Sequence, residues 1–169
     1  MLAAPSRRER EVGRPPGTAE AIPVSVAIRT MEARDYREVV ALWRACTGVG
    51  LGASDTRDGV ARFLEANPGL SFVAEDGGRV VGAVLCGHDG RRGYITHLAV
   101  AREARGRGLG RALAERCTSA LGLEGIEKCH IFVFGDNTDA LAFWEAIGWT
   151  DRTELRVLSK FIRGETEAP

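Results

Sequence analysis

Val100-Ala-Arg-Glu-Ala-Arg105-Gly-Arg-Gly108-Leu-Gly110-Arg111-Ala-Leu113 is the stretch on which the reading of this chain turns. It leaves a strand-like run and enters a helix-like one. Gly106, Gly108 and Gly110 let the backbone bend and come close to a ligand. A helix start presents unpaired N–H groups and about half a positive charge. Arg105, Arg107 and Arg111 add fork-shaped donors that suit phosphate oxygens. Together these features predict a pyrophosphate site. Two common phosphate loops are excluded. A P-loop ends in Gly-Lys-Ser/Thr, whereas Gly110 is followed by Arg111-Ala112. The dinucleotide fingerprint needs Gly-x-Gly-x-x-Gly, and here the glycines recur at every second position.

Upstream of the loop, the pattern predicts strands at Leu70–Glu75, Arg79–Cys86 and Tyr94–Val100, with Asp76-Gly77-Gly78 and Gly87–Gly90 as turns. Before them come two amphipathic helices. One spans Arg34–Thr47, with Tyr36, Val39, Val40, Trp43 and Cys46 on one face. The other spans Asp55–Ala66, capped by Ser54 or Asp55 and ended by Asn67-Pro68. Val24–Ile28 alternates and predicts a first strand. Residues 1–23 contain four prolines, mixed charge and no periodicity, and read as a disordered tail before a single domain over 24–165.

Downstream of the loop, Gly108–Leu121 reads as a helix and Lys128–Phe134 as a strand. A helix capped by Asn137 runs to Ile147, and Gly148 takes its C′ position. Leu155–Ile162 predicts a last strand. A strand-helix-strand unit after an antiparallel meander implies an α/β (α+β) fold. Its sheet is mixed, with helices on both faces.

The bulk numbers narrow the function. Lysine plus arginine equals aspartate plus glutamate, 23 each, so no global field draws the chain to nucleic acid or an anionic membrane. A nucleic-acid interaction through the basic loop is opposed by that balance and by the lack of an aromatic stacking run. The anion site must be a local cluster. Cys46, Cys86, Cys117 and Cys129 have neither zinc-knuckle nor dithiol spacing and read as buried thiols, so no metal is expected. No run approaches the length of a membrane span, and a cytoplasmic protein, monomer or homodimer, is expected.

Beyond these elements the sequence resembles the GNAT superfamily of N-acetyltransferases. Arg105-x-x-Gly108-x-Gly110 is similar to that family's acetyl-CoA signature. Asn137-x-x-Ala140-x-x-Phe143-Trp144-x-x-x-Gly148-Trp149 is similar to its second signature, in which the aromatic pair is usually Phe-Tyr. The likeness covers roughly 24–162. The turn Gly87-His-Asp-Gly90 and the ending Leu158-Ser-Lys160 bring it nearest the small bacterial acetyltransferases called YpeA. The resemblance implies acetyl-CoA as co-substrate and a splay between the fourth and fifth strands. It implies pyrophosphate binding by main-chain amides across Arg105, Gly106, Arg107, Gly108, Leu109, Gly110 and Arg111. The strand Leu98-Ala99-Val100 would pair with the pantetheine arm. Asn137, Ala140, Phe143 and Trp144 would lie beside it.

The same resemblance exposes a gap in the chemistry. The family's usual acid, the tyrosine of the pair, is Trp144 here, and indole N–H can donate to a sulfur but not protonate it. The two positions where the family often carries a glutamate base hold Tyr94 and Phe132. Strand alternation places Tyr94, Thr96 and Leu98 on one face and His97 on the other. Tyr94 is therefore the candidate proton relay, with His97, His130, His88 or a water as alternatives. At pH 7 a lysine amine is neutral in about one molecule in 2,500, an α-amine in roughly 10–20%. A depleted catalytic set favours an acceptor of low pKa, a small molecule or a protein N-terminus. A CoA-binding module without catalysis is the competing expectation. The acceptor side would be shaped by Trp43, Arg44, Gly48–Asp55 and Phe63.

Overall fold

The computed structural model describes residues 26–162; the expected tail over 1–23 and the first residues of the expected first strand lie outside them. The elements run β1 (Val26–Thr30), α1 (Tyr36–Ala45), α2 (Arg57–Ala66), β2 (Phe72–Asp76), β3 (Arg79–His88), β4 (Gly93–Val100), α3 (Leu109–Leu123), β5 (Cys129–Ile131) and α4 (Thr138–Ala146). The sheet is in sequence order, β1-β2-β3-β4-β5. Its first three pairings are antiparallel and β4–β5 is parallel, the crossover being made by α3. The fold is thus the mixed α/β sheet that the sequence implied.

Alternating strand residues feed two cores. Val73, Ala83, Leu85 and Ala99 pack against Val39, Val40, Trp43 and Val60 of α1 and α2. Phe72, Ala74, Val84, Cys86 and Ile95 pack against Leu109, Leu113, Cys117 and Leu121 of α3 and Trp144 of α4. Helices therefore cover both faces. The four cysteines are free, and burial first of all pushes the Cys129 thiol up to about 12, which keeps it protonated and inert. Among the described residues, no helix is long and apolar enough to cross a membrane.

Two local expectations are corrected. Thr56, not Ser54 or Asp55, caps α2, accepting from Gly59 N–H at 3.1 Å. Asp55 is thereby free to bond elsewhere. The expected strand at Leu155–Ile162 is absent: these residues join no ladder, and Leu158 and Ile162 are 95% exposed. The neighbouring β5 is three residues long and offers little edge to pair with.

A buried ion pair holds the start of α1 to the sheet. Asp35 accepts from both terminal nitrogens of Arg29, at 2.7 and 2.8 Å, and from Glu32 N–H at 2.9 Å. Burial alone would raise its carboxyl pKa, but the Arg29 guanidinium and the Glu32 amide outweigh that and hold it below the usual range. A carboxyl depressed in the folded state stabilises above its unfolded value, about 3.9, and loses that contribution as pH falls through the folded value. Asp35→Asn is expected to cost about 2 kcal/mol at pH 7, discounted because Arg29 is a third exposed. Urea unfolding should show the difference from wild type vanishing in acid; a difference independent of pH would refute the assignment.

Candidate active site

β4 and β5 pair only from Gly93–Cys129 to Ile95–Ile131. Beyond that point β4 continues to Val100 while the chain after Ile131 turns away. Among the described residues, the edge of β4 from Thr96 to Val100 is thus without a partner strand on this side, and edge groups need hydrogen bonds. The wedge so opened is a cavity of about 690 Å³. Its walls are Thr96–Val100 of β4, Ile131–Phe134, the Cys46–Gly50 loop and, from the turn before α3, Ala104–Gly106 and Gly108–Arg111. Asn137, Asp139, Ala140, Phe143 and Trp144 complete it. Leu98, Ala99 and Val100 line this cavity, and the Val100 carbonyl accepts from Arg105 Nε at 3.0 Å.

The turn at one end of the cavity is built by backbone conformation. Gly106 and Gly108 have φ of 75° and 76°, the left-handed region that side chains resist. Gly108 is the N-cap of α3, and the first internal helix bond is Ala112 N–H to Gly108 C=O at 3.0 Å. The amides of Leu109, Gly110 and Arg111 precede it and remain for a ligand. Gly110 admits the close approach of α4: a Cβ there would lie 3.2 Å from Phe143 Cζ.

The three arginines do not act alike. Arg107 gives both terminal nitrogens to Asp76, at 3.1 and 3.0 Å, and does not line the cavity. Arg105 caps Val100 and reaches to 3.8 Å from Cys46 Sγ. Arg111, 3.6 Å from Glu115, is half-exposed at the cavity wall. What this turn offers an anion is therefore main-chain amides and the dipole of α3, with Arg111 as the most available cation.

β4 carries a bulge that the sequence did not reveal. Thr96 faces Leu85 and Ala99 faces Ala83, so His97 and Leu98 together oppose Val84. His97 has a φ of 54°, the one positive φ outside glycine among the described residues. Such a conformation costs about 1–3 kcal/mol and must be held by its surroundings. Trp43 holds it: its indole N–H donates to the His97 carbonyl at 2.9 Å, and the two rings are 4.8 Å apart. The extra residue resets the alternation. Leu98 and Val100 now pack on the α3 side, whereas Ala99 packs on the α1 side. The expected grouping of Tyr94, Thr96 and Leu98 on one face, with His97 turned away, is therefore overturned.

Tyr94 stacks between His130 and Phe132, with ring centroids 5.9 and 6.4 Å away, and is not among the residues lining the cavity. Trp144 lines the cavity but is buried, edge-on to Phe143 and Trp149. Asn137 caps α4 by accepting from Ala140 N–H at 3.1 Å. Of the residues expected at the acceptor entry, Trp43 is wholly buried, while Gly48, Val49 and Gly50 line the cavity. Gly48 approaches Asn137 so closely that a Cβ would fall 2.1 Å from its Nδ2.

A strand edge without a partner among the described residues, a wedge beside it and a bare helix start at its end can together receive an extended, phosphate-bearing molecule. The profile of the acetyltransferase (GNAT) family matches residues 36–149, and the chain belongs to that family. Acetyltransferase SG1711 of Sodalis glossinidius is 33% identical over 140 residues, 83% of this chain and 98% of that protein. Acetyltransferase plu1384 of Photorhabdus laumondii is 35% identical over 131 residues, 78% of this chain and 91% of that protein. Among solved structures, the PaiA N-acetyltransferase of Thermoplasma acidophilum in complex with coenzyme A has the same fold. It shows a TM-score of 0.68 at 14% identity, covering 75% of this chain and 91% of that one. The protein is an acetyltransferase with acetyl-CoA as its co-substrate.

Proposed function

We propose that the protein moves the acetyl group of acetyl-CoA to a primary amine of low pKa, an α-amino group on a small molecule or a peptide N-terminus. The amine attacks directly while both substrates are bound. One observation carries this reading: a single cavity is lined by the start of α3, the edge of β4 and the Gly48–Gly50 loop together. The cofactor and the acceptor can then meet in the wedge between β4 and β5. The amides of Leu109, Gly110 and Arg111 receive the pyrophosphate, and the Leu98–Val100 edge receives the pantetheine amides. Fixing both reactants in this way can supply several kcal/mol, about 7–11 at the limit. Trp144 bounds the wedge as a packing wall. The four free cysteines support a reducing, cytoplasmic setting.

The test is thiol release at pH 7 from acetyl-CoA with two probes: a tripeptide with a free α-amine, and Nα-acetyl-lysine amide. The tripeptide should react at least ten times faster, in line with its larger neutral fraction. Equal rates would sink the low-pKa acceptor. Acetyl-CoA binding with turnover of neither probe would favour a binding module instead.

A further inference from the structure

The middle of the turn before α3 is held by a side chain rather than by its own backbone. At the way in, Ala101 N–H donates to the Val81 carbonyl at 2.8 Å and Arg105 N–H to the Arg102 carbonyl at 3.3 Å. At the way out, the Gly108 carbonyl accepts from Ala112 N–H at 3.0 Å. Between them, the amides of Gly106, Arg107 and Gly108 make no backbone hydrogen bond among the described residues. The sign of φ is positive at Gly106, negative at Arg107 and positive again at Gly108. Such alternation turns successive N–H groups toward one concave side, a backbone shape that receives anions. It is also costly to keep, because glycine gives up more conformational freedom than any other residue when it is ordered.

The Arg107 side chain supplies the missing restraint. Both of its terminal nitrogens donate to Asp76 Oδ2, at 3.1 and 3.0 Å. The pair is largely shielded, with 28% of the Arg107 side chain and 26% of the Asp76 side chain exposed. Asp76 is a firm anchor. It is the last residue of β2, and it is paired with Val26 of β1 on one edge and with Arg79 of β3 on the other. A loop residue between two glycines is thus tied to a strand that is fixed on both sides. Neither partner lines the cavity.

We propose that Asp76 and Arg107 are positioning residues for cofactor binding, a clamp that sets the turn in its anion-receiving shape before acetyl-CoA arrives. This rests on the reading above that the turn receives the pyrophosphate. Asp76 holds the Arg107 guanidinium, and the held side chain fixes the amides on either side of it. The ordering of two glycines is then completed when the chain folds and is not charged against binding, so affinity rises without any new contact to the ligand. Arginine suits the task because its planar fork makes two bonds to one carboxylate and loses little further freedom in doing so.

Asp76→Asn tests the clamp, since asparagine keeps the shape of the side chain and removes its charge. By calorimetric titration, the Kd for CoA should rise about 3- to 10-fold, more than an exposed ion pair gives and less than a buried one. Arg107→Gln should weaken binding by a similar factor and the double variant no further, because all three break the same clamp. The KM for acetyl-CoA should follow the Kd, and kcat should not fall. A pair that only supports the fold would lower the Tm and leave Kd and KM unmoved, which overturns the proposal. Tighter binding by Asp76→Asn overturns it too, since a released Arg107 would then be reaching the phosphates itself. Additive losses in the double variant do the same. Gly108→Val separates the clamp from the site it serves. If that variant also keeps the wild-type Kd, the turn is not the pyrophosphate site and the clamp falls with that reading. If it loses affinity while Asp76→Asn does not, the clamp alone falls.

Discussion

Gly108→Val is expected to weaken acetyl-CoA binding at least about 100-fold. Gly108 caps α3 with φ 76° and ψ 1°, and a β-branched side chain resists that region strongly. Relaxation toward negative φ would rotate the amides of Leu109 and Gly110 away from a common point. Each hydrogen bond to a charged oxygen is worth about 1.5–3 kcal/mol, so losing two costs several kcal/mol. At about 1.4 kcal/mol per tenfold, that is a hundredfold or more. The cap itself lies at the end of a fifteen-residue helix whose inner face is deeply packed, so the fold should survive. Calorimetric titration with CoA would measure the loss. A Kd within a factor of three of wild type would show that the helix start is not the anion site.

The largest stability effect is expected at Trp43. The side chain is fully buried in the α1 core and also ties down the His97 carbonyl. Trp43→Ala removes both and should cost about 3–5 kcal/mol. For a chain of this size that lowers the Tm by roughly 10 °C. Trp43→Phe keeps most of the bulk and loses the hydrogen bond, at about 1 kcal/mol. The informative comparison is activity in that milder variant. The bulge carbonyl would be without its donor, so kcat should drop more than stability does. Full activity in Trp43→Phe would mean that β4 holds its bulge by itself.

The parts legible in the sequence are those determined locally. Three closely spaced glycines marked the loop, and Asn137 marked the start of α4, because turn and cap chemistry act within a few residues. The pairings that decide the chemistry act over long distances and left no such mark. Arg107 meets Asp76 thirty-one residues away, which keeps its guanidinium off the cavity wall. His97 is neither glycine nor asparagine, so nothing in Ile95-Thr96-His97-Leu98 announces a bulge. Its conformation is imposed by Trp43, fifty-four residues earlier. Strict alternation therefore fails at His97 and Leu98, the two residues that the bulge turns. Asp55 was read as a helix cap because its neighbour Thr56, which takes that place, has the same chemistry. Leu155–Ile162 has the composition of a strand, but a strand also needs a partner edge.

The incomplete pairing between β4 and β5 bears on stability as well as on binding. On the proposed mode of binding, the co-substrate would take the place of the missing part of the ladder. Binding to the folded chain alone raises its stability by about 2.7 kcal/mol at a hundred times Kd. Resistance to heat and to proteolysis should therefore rise and fall with the acetyl-CoA supply. On the proposed mode of binding, the missing rungs would couple the protein's lifetime against proteolysis to occupancy by its co-substrate.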